Sequence, residues 1–177
     1  IPLGERRDLT VTPFGSSKGA EMIELRYREA YRNGWMELTG AVARDEIYPQ
    51  DTRYFLFGNG RFRLPQDFVM RFDLQISSDP AFLLDYDYTE RDRLVSDIVI
   101  DRARRDEYIG VQLFHYYSLR DQETNSTLAS VISDGIWERR YELPGPIGGF
   151  GNYGLETHSH MRSSDIEYDA DGDGKLN

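Results

Sequence analysis

The sequence predicts an all-β chain folded as an antiparallel up-and-down meander, and three observations carry that expectation. Phe68–Ser78 (FVMRFDLQISS) alternates without a fault, with Phe68, Met70, Phe72, Leu74 and Ile76 on one side and Arg71, Asp73, Gln75 and Ser77 on the other. Successive side chains of a strand point to opposite faces, so this run has one apolar face and one wet face. Segments of the same period recur along the chain, while helical periodicity is hard to find. The connections between them alternate strictly between short and long. A run of roughly 11 residues is about twice the usual soluble strand and matches a tilted strand that crosses a bilayer. The expectation is therefore about eight or nine strands from the wall of a large transmembrane β-barrel.

The elements come in order. Arg7–Phe14 is a first strand, with Pro13 suited to its end rather than its centre. Glu21–Tyr31 sets Ile23, Leu25 and Tyr27 against Glu24, Arg26 and Arg28, and Asn33-Gly34 then signals a hairpin. Trp35–Arg44 runs back. Thr52–Leu64 places Tyr54, Leu56, Phe62 and Leu64 opposite Arg53, Asn59, Arg61 and Arg63. Pro65-Gln66-Asp67 turns the chain into Phe68–Ser78. Arg93–Arg102 and Glu107–Leu119 form the next pair, the second with neither face plainly polar. Gly135–Leu143 and Gly148–Ser159 close the series around Pro144-Gly145-Pro146.

Short turns follow Tyr31, Leu64, Arg102 and Leu143; longer stretches follow Arg44, Ser78, Leu119 and Ser159. Short turns on one rim and long loops on the other are the layout of outer-membrane barrels. Residues 1–159 are expected to be barrel wall, and residues 160–177 a truncated, acidic, Gly-rich extracellular loop. A soluble antiparallel sandwich shows the same in/out alternation and stands as the alternative.

Composition narrows the function classes. A net charge of −10 disfavours nucleic acid as a partner. The absence of cysteine excludes disulfide and thiol chemistry within the chain. Nearly every cation is arginine; only Lys18 and Lys175 are lysines. No stretch approaches the ~18 apolar residues of a membrane helix. A barrel evades that test, because its lumen-facing residues dilute the hydropathy of every strand. The 12 Tyr, 9 Phe and 2 Trp suit both sheets and membrane interfaces.

Five stretches, taken in order, carry a family resemblance: Asp8–Phe14 (DLTVTPF), Glu24–Val42 (ELRYREAYRNGWMELTGAV), Leu56–Leu64 (LFGNGRFRL), Phe72–Arg102 and Tyr141–Gly149 (YELPGPIGG). They resemble the barrel of the lipopolysaccharide-assembly outer-membrane proteins, the organic solvent tolerance or LptD family, in its alphaproteobacterial form. The resemblance implies a Gram-negative outer-membrane location. It also implies that lipopolysaccharide arrives by a periplasmic bridge, enters a barrel plugged by a lipoprotein, and leaves through the barrel wall into the outer leaflet. The implied partners are lipopolysaccharide, the plug lipoprotein, the periplasmic bridge proteins and outer-membrane lipid. No covalent chemistry is implied. The periplasmic domain, the closing strands and the cysteines of some members lie outside this sequence.

Within that frame Phe68, Met70, Phe72, Leu74 and Ile76 are expected to face lipid, and Glu24, Arg26, Arg28, Arg71 and Asp73 the lumen. Opposite charges at adjacent strand positions would stabilise a polar wall, and guanidinium groups there could guide phosphates. The acidic residues of the long loops (Asp45, Glu46, Asp51; Asp79, Asp85, Asp87, Glu90, Asp92; Asp121, Glu123) read as a solvated rim or as a bridge through hard cations to an anionic lipid. Asp169, Asp171 and Asp173, followed by Gly174, match the first half of an EF-hand-type loop, so a longer loop could hold Ca²⁺; no other cofactor is expected. His158 and His160 have a spacing that could hold a metal, without a nameable third ligand, and His115 reads as a rim or lumen residue. A hydrolase would need a framed nucleophile, and no G-x-S-x-G is present. Asn125-Ser126-Thr127 is formally a glycosylation sequon, idle in a bacterium.

Overall fold

The computed structural model describes residues 1–15, 20–44, 52–120, 123, 125 and 131–161. They form a single nine-stranded sheet: β1 (Arg7–Gly15), β2 (Glu21–Ala30), β3 (Gly34–Arg44), β4 (Arg53–Arg63), β5 (Val69–Ser77), β6 (Arg93–Ala103), β7 (Glu107–Ser118), β8 (Val131–Glu142) and β9 (Phe150–Met161). Each strand pairs antiparallel with its neighbours in sequence, so spatial order equals chain order. The all-β meander expected from the alternation is the fold. Ile1–Leu3 folds back along β1, with the Leu9 N–H donating to Ile1 O at 2.9 Å and the Leu3 N–H to Arg7 O at 3.0 Å.

Boundaries shift where pairing overrides composition. β5 is nine residues rather than the eleven of Phe68–Ser78, and Phe68 lies just before it, closing the Pro65–Asp67 turn. β8 begins at Val131, not Gly135, because Val131–Asp134 pairs with both β7 and β9 despite the polar Ser133 and Asp134. Asn33-Gly34 does mark a hairpin, but Gly34 is absent from the positive-φ residues. Its need is space: a Cβ there would sit 2.2 Å from Arg61 O. Left-handed backbone falls instead on Gln66 and Asp67 in the β4–β5 turn.

Register assigns every strand residue to a face. The row Leu9–Tyr27–Leu38–Gly58–Leu74 is apolar, and the adjacent row Thr10–Arg26–Thr39–Phe57–Gln75 belongs to the opposite side. Among described strand residues that are large, apolar and exposed, fourteen lie on the first face, including Ile23, Leu56, Ile76, Val111 and Leu155. Only Phe14, Trp35 and Phe150, all at strand ends, lie on the other. A continuous exposed apolar surface of this extent is unusual on a soluble monomer.

The dry core is small and sits on the charged side, at the long-loop rim. The β5–β6 connection folds inward there as a one-turn helix, α1 (Phe82–Asp85), whose Phe82 and Leu83 are fully buried against Ala41, Ala43 and Phe55.

Candidate functional site

The charged face is built by strands β2 to β6. Arg28 pairs with Asp8 at 3.0 Å, Arg26 with Glu37 at 2.8 Å, and Arg71 with Asp101 at 2.8 Å. All five residues expected to share a polar wall, Glu24, Arg26, Arg28, Arg71 and Asp73, fall on this one face by register. The five apolar positions separate from them: Met70, Phe72, Leu74 and Ile76 lie on the opposite face. Phe68 lies at its edge under the Arg102 guanidinium, 4.7 Å from the ring centroid.

The three arginines singled out from sequence are each tied to a carboxylate. Arg61 and Arg63, also on the charged face, have no side-chain partner among the described residues. Arg61 stands directly opposite Arg71 on β5 and opposite Trp35 on β3. Like charges placed opposite each other on a sheet destabilise it by a few tenths of a kcal/mol to ~1 kcal/mol. An anion between them would offset that, and guanidinium is suited to two-pronged contact with a phosphate. Asp73 and Asp97 make a second like-charged opposite pair further along the same face.

A strap, residues 78–92, crosses this face at the long-loop rim. The Arg53 side chain, 2 % exposed, donates to Asp79 at 2.8 Å and to Asp85 at 2.8 Å, and lies 5.0 Å from the Phe82 ring centroid. Asp79 also accepts the Phe82 N–H at 2.8 Å, which starts α1. Partial burial pushes the Asp79 carboxyl up, but hydrogen bonds from Arg53 and Ser78 and the Arg53 charge outweigh it and hold the group below the usual range. Asp87 then takes a left-handed backbone (φ 58°), reversing the chain so that Tyr88 reaches back over three strands to β2. Burial and the Glu24 carboxylate push the Tyr88 hydroxyl well up, so it remains a donor. Between strap and sheet lies a cleft of about 320 Å³, lined among others by Glu37, Thr39, Asn59, Asp73, Gln75 and Tyr88.

Sequence reasoning missed this strap. It treated the stretch as an acidic loop, although the run Phe82-Leu83-Leu84 offered a hydrophobic signal. Several rim carboxylates expected to meet solvent or cations already have arginine partners: Asp79 and Asp85 with Arg53, Asp92 with Arg120, and Glu123 with both Arg93 and Arg120. Hydrogen bonds from Ser118, Arg120 and Arg93 draw the Glu123 carboxyl down to about 2.

His158 and His160 do share a face, and His158 Nδ1 lies 2.5 Å from Asp134. No group of three His, Cys, Asp or Glu side chains that could hold a metal gathers among the described residues. His115 is on the apolar face near the long-loop rim. Asp169, Asp171 and Asp173 lie outside the described residues, as do Asp45, Glu46, Asp51 and Asp121.

Comparison with known proteins completes the picture. No curated protein matches the chain. The family model for LptD, LPS transport system D, matches residues 51–144, more than half of the sequence. The match takes in β4 to β8 with the strap, and thus the stretches Leu56–Leu64 and Phe72–Arg102 that carried the resemblance; Asp8–Phe14 and Glu24–Val42 lie before it. On this ground the chain belongs to the LptD family and has its role in lipopolysaccharide transport.

Proposed function

We propose that these strands are a segment of an outer-membrane barrel wall along which lipopolysaccharide passes to the outer leaflet. The apolar face, with Met70, Phe72, Leu74 and Ile76, meets lipid, and the charged face, with Glu24, Arg26, Arg28, Arg71 and Asp73, meets the lumen. One observation carries the reading: large exposed apolar side chains crowd one face of a single sheet, and no second layer covers them among the described residues. Strands of nine to twelve residues fit the span of a tilted membrane strand. From β2 onward the connections at one rim, 31–33, 64–68, 104–106 and 143–149, are shorter than those at the other, 45–52, 78–92 and 119–130, so the shorter ones face the periplasm.

In this reading the chain supplies a path and performs no covalent step. The paired arginines Arg26, Arg28 and Arg71 shape the wall, and Arg61 and Arg63 contact the phosphates of the passing lipid. Lipopolysaccharide, the bridge that delivers it and the plugging lipoprotein are the partners this implies. A soluble binding module would need a protein layer over Leu56, Ile76 and Val111, and nothing in the sheet supplies one.

Two tryptophans provide the test, since Trp137 lies on the apolar face and Trp35 on the charged face. In the full-length protein, with each as the sole tryptophan, acyl-chain-brominated lipid should quench Trp137 and spare Trp35. A photocrosslinker at Arg61 should capture lipopolysaccharide, and one at Ile76 should capture bulk lipid. Equal quenching of the two tryptophans, or quenching of Trp35 alone, would overturn the assignment of faces.

A further inference from the structure

We propose that the short-turn rim carries a binding site for the phosphodiester headgroup of an anionic phospholipid in the leaflet at that rim, centred on Arg6 and Arg32. The proposal rests on the transmembrane reading for its orientation, and it concerns a different lipid and a different surface from the transport path.

Charge is divided unevenly along the strands. The whole chain carries −10, yet the short-turn stretches 5–8, 28–32, 61–71, 101–107 and 138–142 hold twelve arginines against nine carboxylates. Four of the twelve, Arg28, Arg61, Arg63 and Arg71, belong to the charged face, so the positive excess at this end of the strands is shared between that face and the rim, while the rest of the chain is strongly acidic. At that rim Arg6, Arg32 and Arg105 have no side-chain partner among the described residues. They occupy different turns, the first preceding β1 and the others joining β2 to β3 and β6 to β7.

Arg6 and Arg32 are brought together by the backbone. The Ala30 N–H donates to Arg6 O at 2.7 Å, which pins the turn before β1 against the end of β2. The two arginines then line one open cleft of about 530 Å³, with Leu3 and Tyr31 beside them. Two carboxylates also line it. Glu29 is occupied by the Tyr27 and Tyr31 hydroxyls at 2.5 and 2.6 Å, which leaves Glu5 as the competing anion. Both arginines are exposed and neither must break a contact to receive a ligand.

A lipid is favoured over an acidic protein because of what lies next to the arginines. Exposed aromatic residues mark this same rim, with Tyr31 beside the cleft and Tyr141 and Tyr153 on the apolar face of β8 and β9. Aromatic residues of this kind sit at headgroup depth in membrane proteins. A guanidinium just beyond them meets the phosphodiester layer, where each cation near an anionic surface contributes a favourable interaction.

The test uses the full-length protein in detergent, titrated with phosphatidylglycerol or phosphatidylcholine and read by native mass spectrometry. The wild type should retain phosphatidylglycerol in preference, and R6Q and R32Q should each weaken that retention about fivefold. R6K and R32K should keep it, and R44Q at the opposite rim should leave it unchanged. Absence of a headgroup preference in the wild type overturns the proposal, as does a preference that R6Q/R32Q leaves intact. Competition by inorganic phosphate alone at similar concentration would show a free-anion site and overturn the lipid assignment. Lipopolysaccharide is absent from the assay, so failure here leaves the transport reading to stand or fall on tryptophan quenching.

Discussion

The Tyr88 hydroxyl donates to Glu24 at 2.6 Å across sixty-four residues of sequence, and this contact pins the inward strap to a strand three places away in the sheet. The strap is held by two further means, burial of Phe82 and Leu83 and the Arg53 pairing with Asp79 and Asp85. Truncating the anchor should therefore cost more than cutting the pin. Tyr88→Phe removes one hydrogen bond to a charged acceptor, about 1.5 kcal/mol. Phe82→Ala leaves a cavity and should cost ~3–5 kcal/mol. Hydrogen exchange of residues 79–90 should accelerate in both, more in Phe82→Ala, while β2 to β4 stay protected. Unchanged exchange in Phe82→Ala would mean the strap is held by something else.

Acid should release the same strap. The folded Asp79 carboxyl titrates below its ordinary range, so its contribution is complete above that range and lost as pH falls through the folded value. Protection of residues 79–90, corrected for intrinsic rates, should be level between pH 7 and 5 and decline below about pH 4. Asp79→Asn should be less protected at neutral pH and show a flatter decline. A wild-type strap equally protected at pH 3 and pH 6 would contradict this.

Gly60 and Phe72 face each other across β4 and β5, and the Phe72 ring occupies the space a side chain at residue 60 would fill. A Cβ there would meet the ring at 2.6 Å and Trp35 O at 2.9 Å. The ring also stacks with Phe62 at 6.4 Å and 9°. Gly60→Val should thus displace Phe72 and destabilise the sheet by ~1–3 kcal/mol, the usual range for overpacking. Pairing it with Phe72→Ala should recover part of the loss. Urea titration in detergent reads both, and a double mutant no better than the sum of the singles would refute the coupling.

Asp97 and Asp73 oppose each other on the charged face. Asp97→Asn removes the repulsion while keeping the shape, and should raise stability by ~0.2–1 kcal/mol in the same titration at neutral pH. A loss of stability would refute a net repulsion between the two carboxylates.

Period-2 alternation determined the strands, because one buried or lipid-covered face leaves a mark on every second residue. It also puts Phe72 and Arg71 on opposite faces, for side-chain direction in a strand follows from parity alone. Chain order gave the sheet order, since neighbours joined by short turns pair with each other. What sequence could not determine was partnership. Whether an arginine is tied or free depends on which strand lies opposite and in which register, so Arg26, Arg28 and Arg71 looked as available as Arg61. The strap likewise follows no local period: Phe82, Leu83 and Tyr88 fold inward because Met22, Ala41, Ala43 and Phe55, distant in sequence, provide the apolar floor and Glu24 the acceptor. Sequence determined the faces, and tertiary structure decided which charges remain free on them, since long-range pairing alone brings those groups within reach.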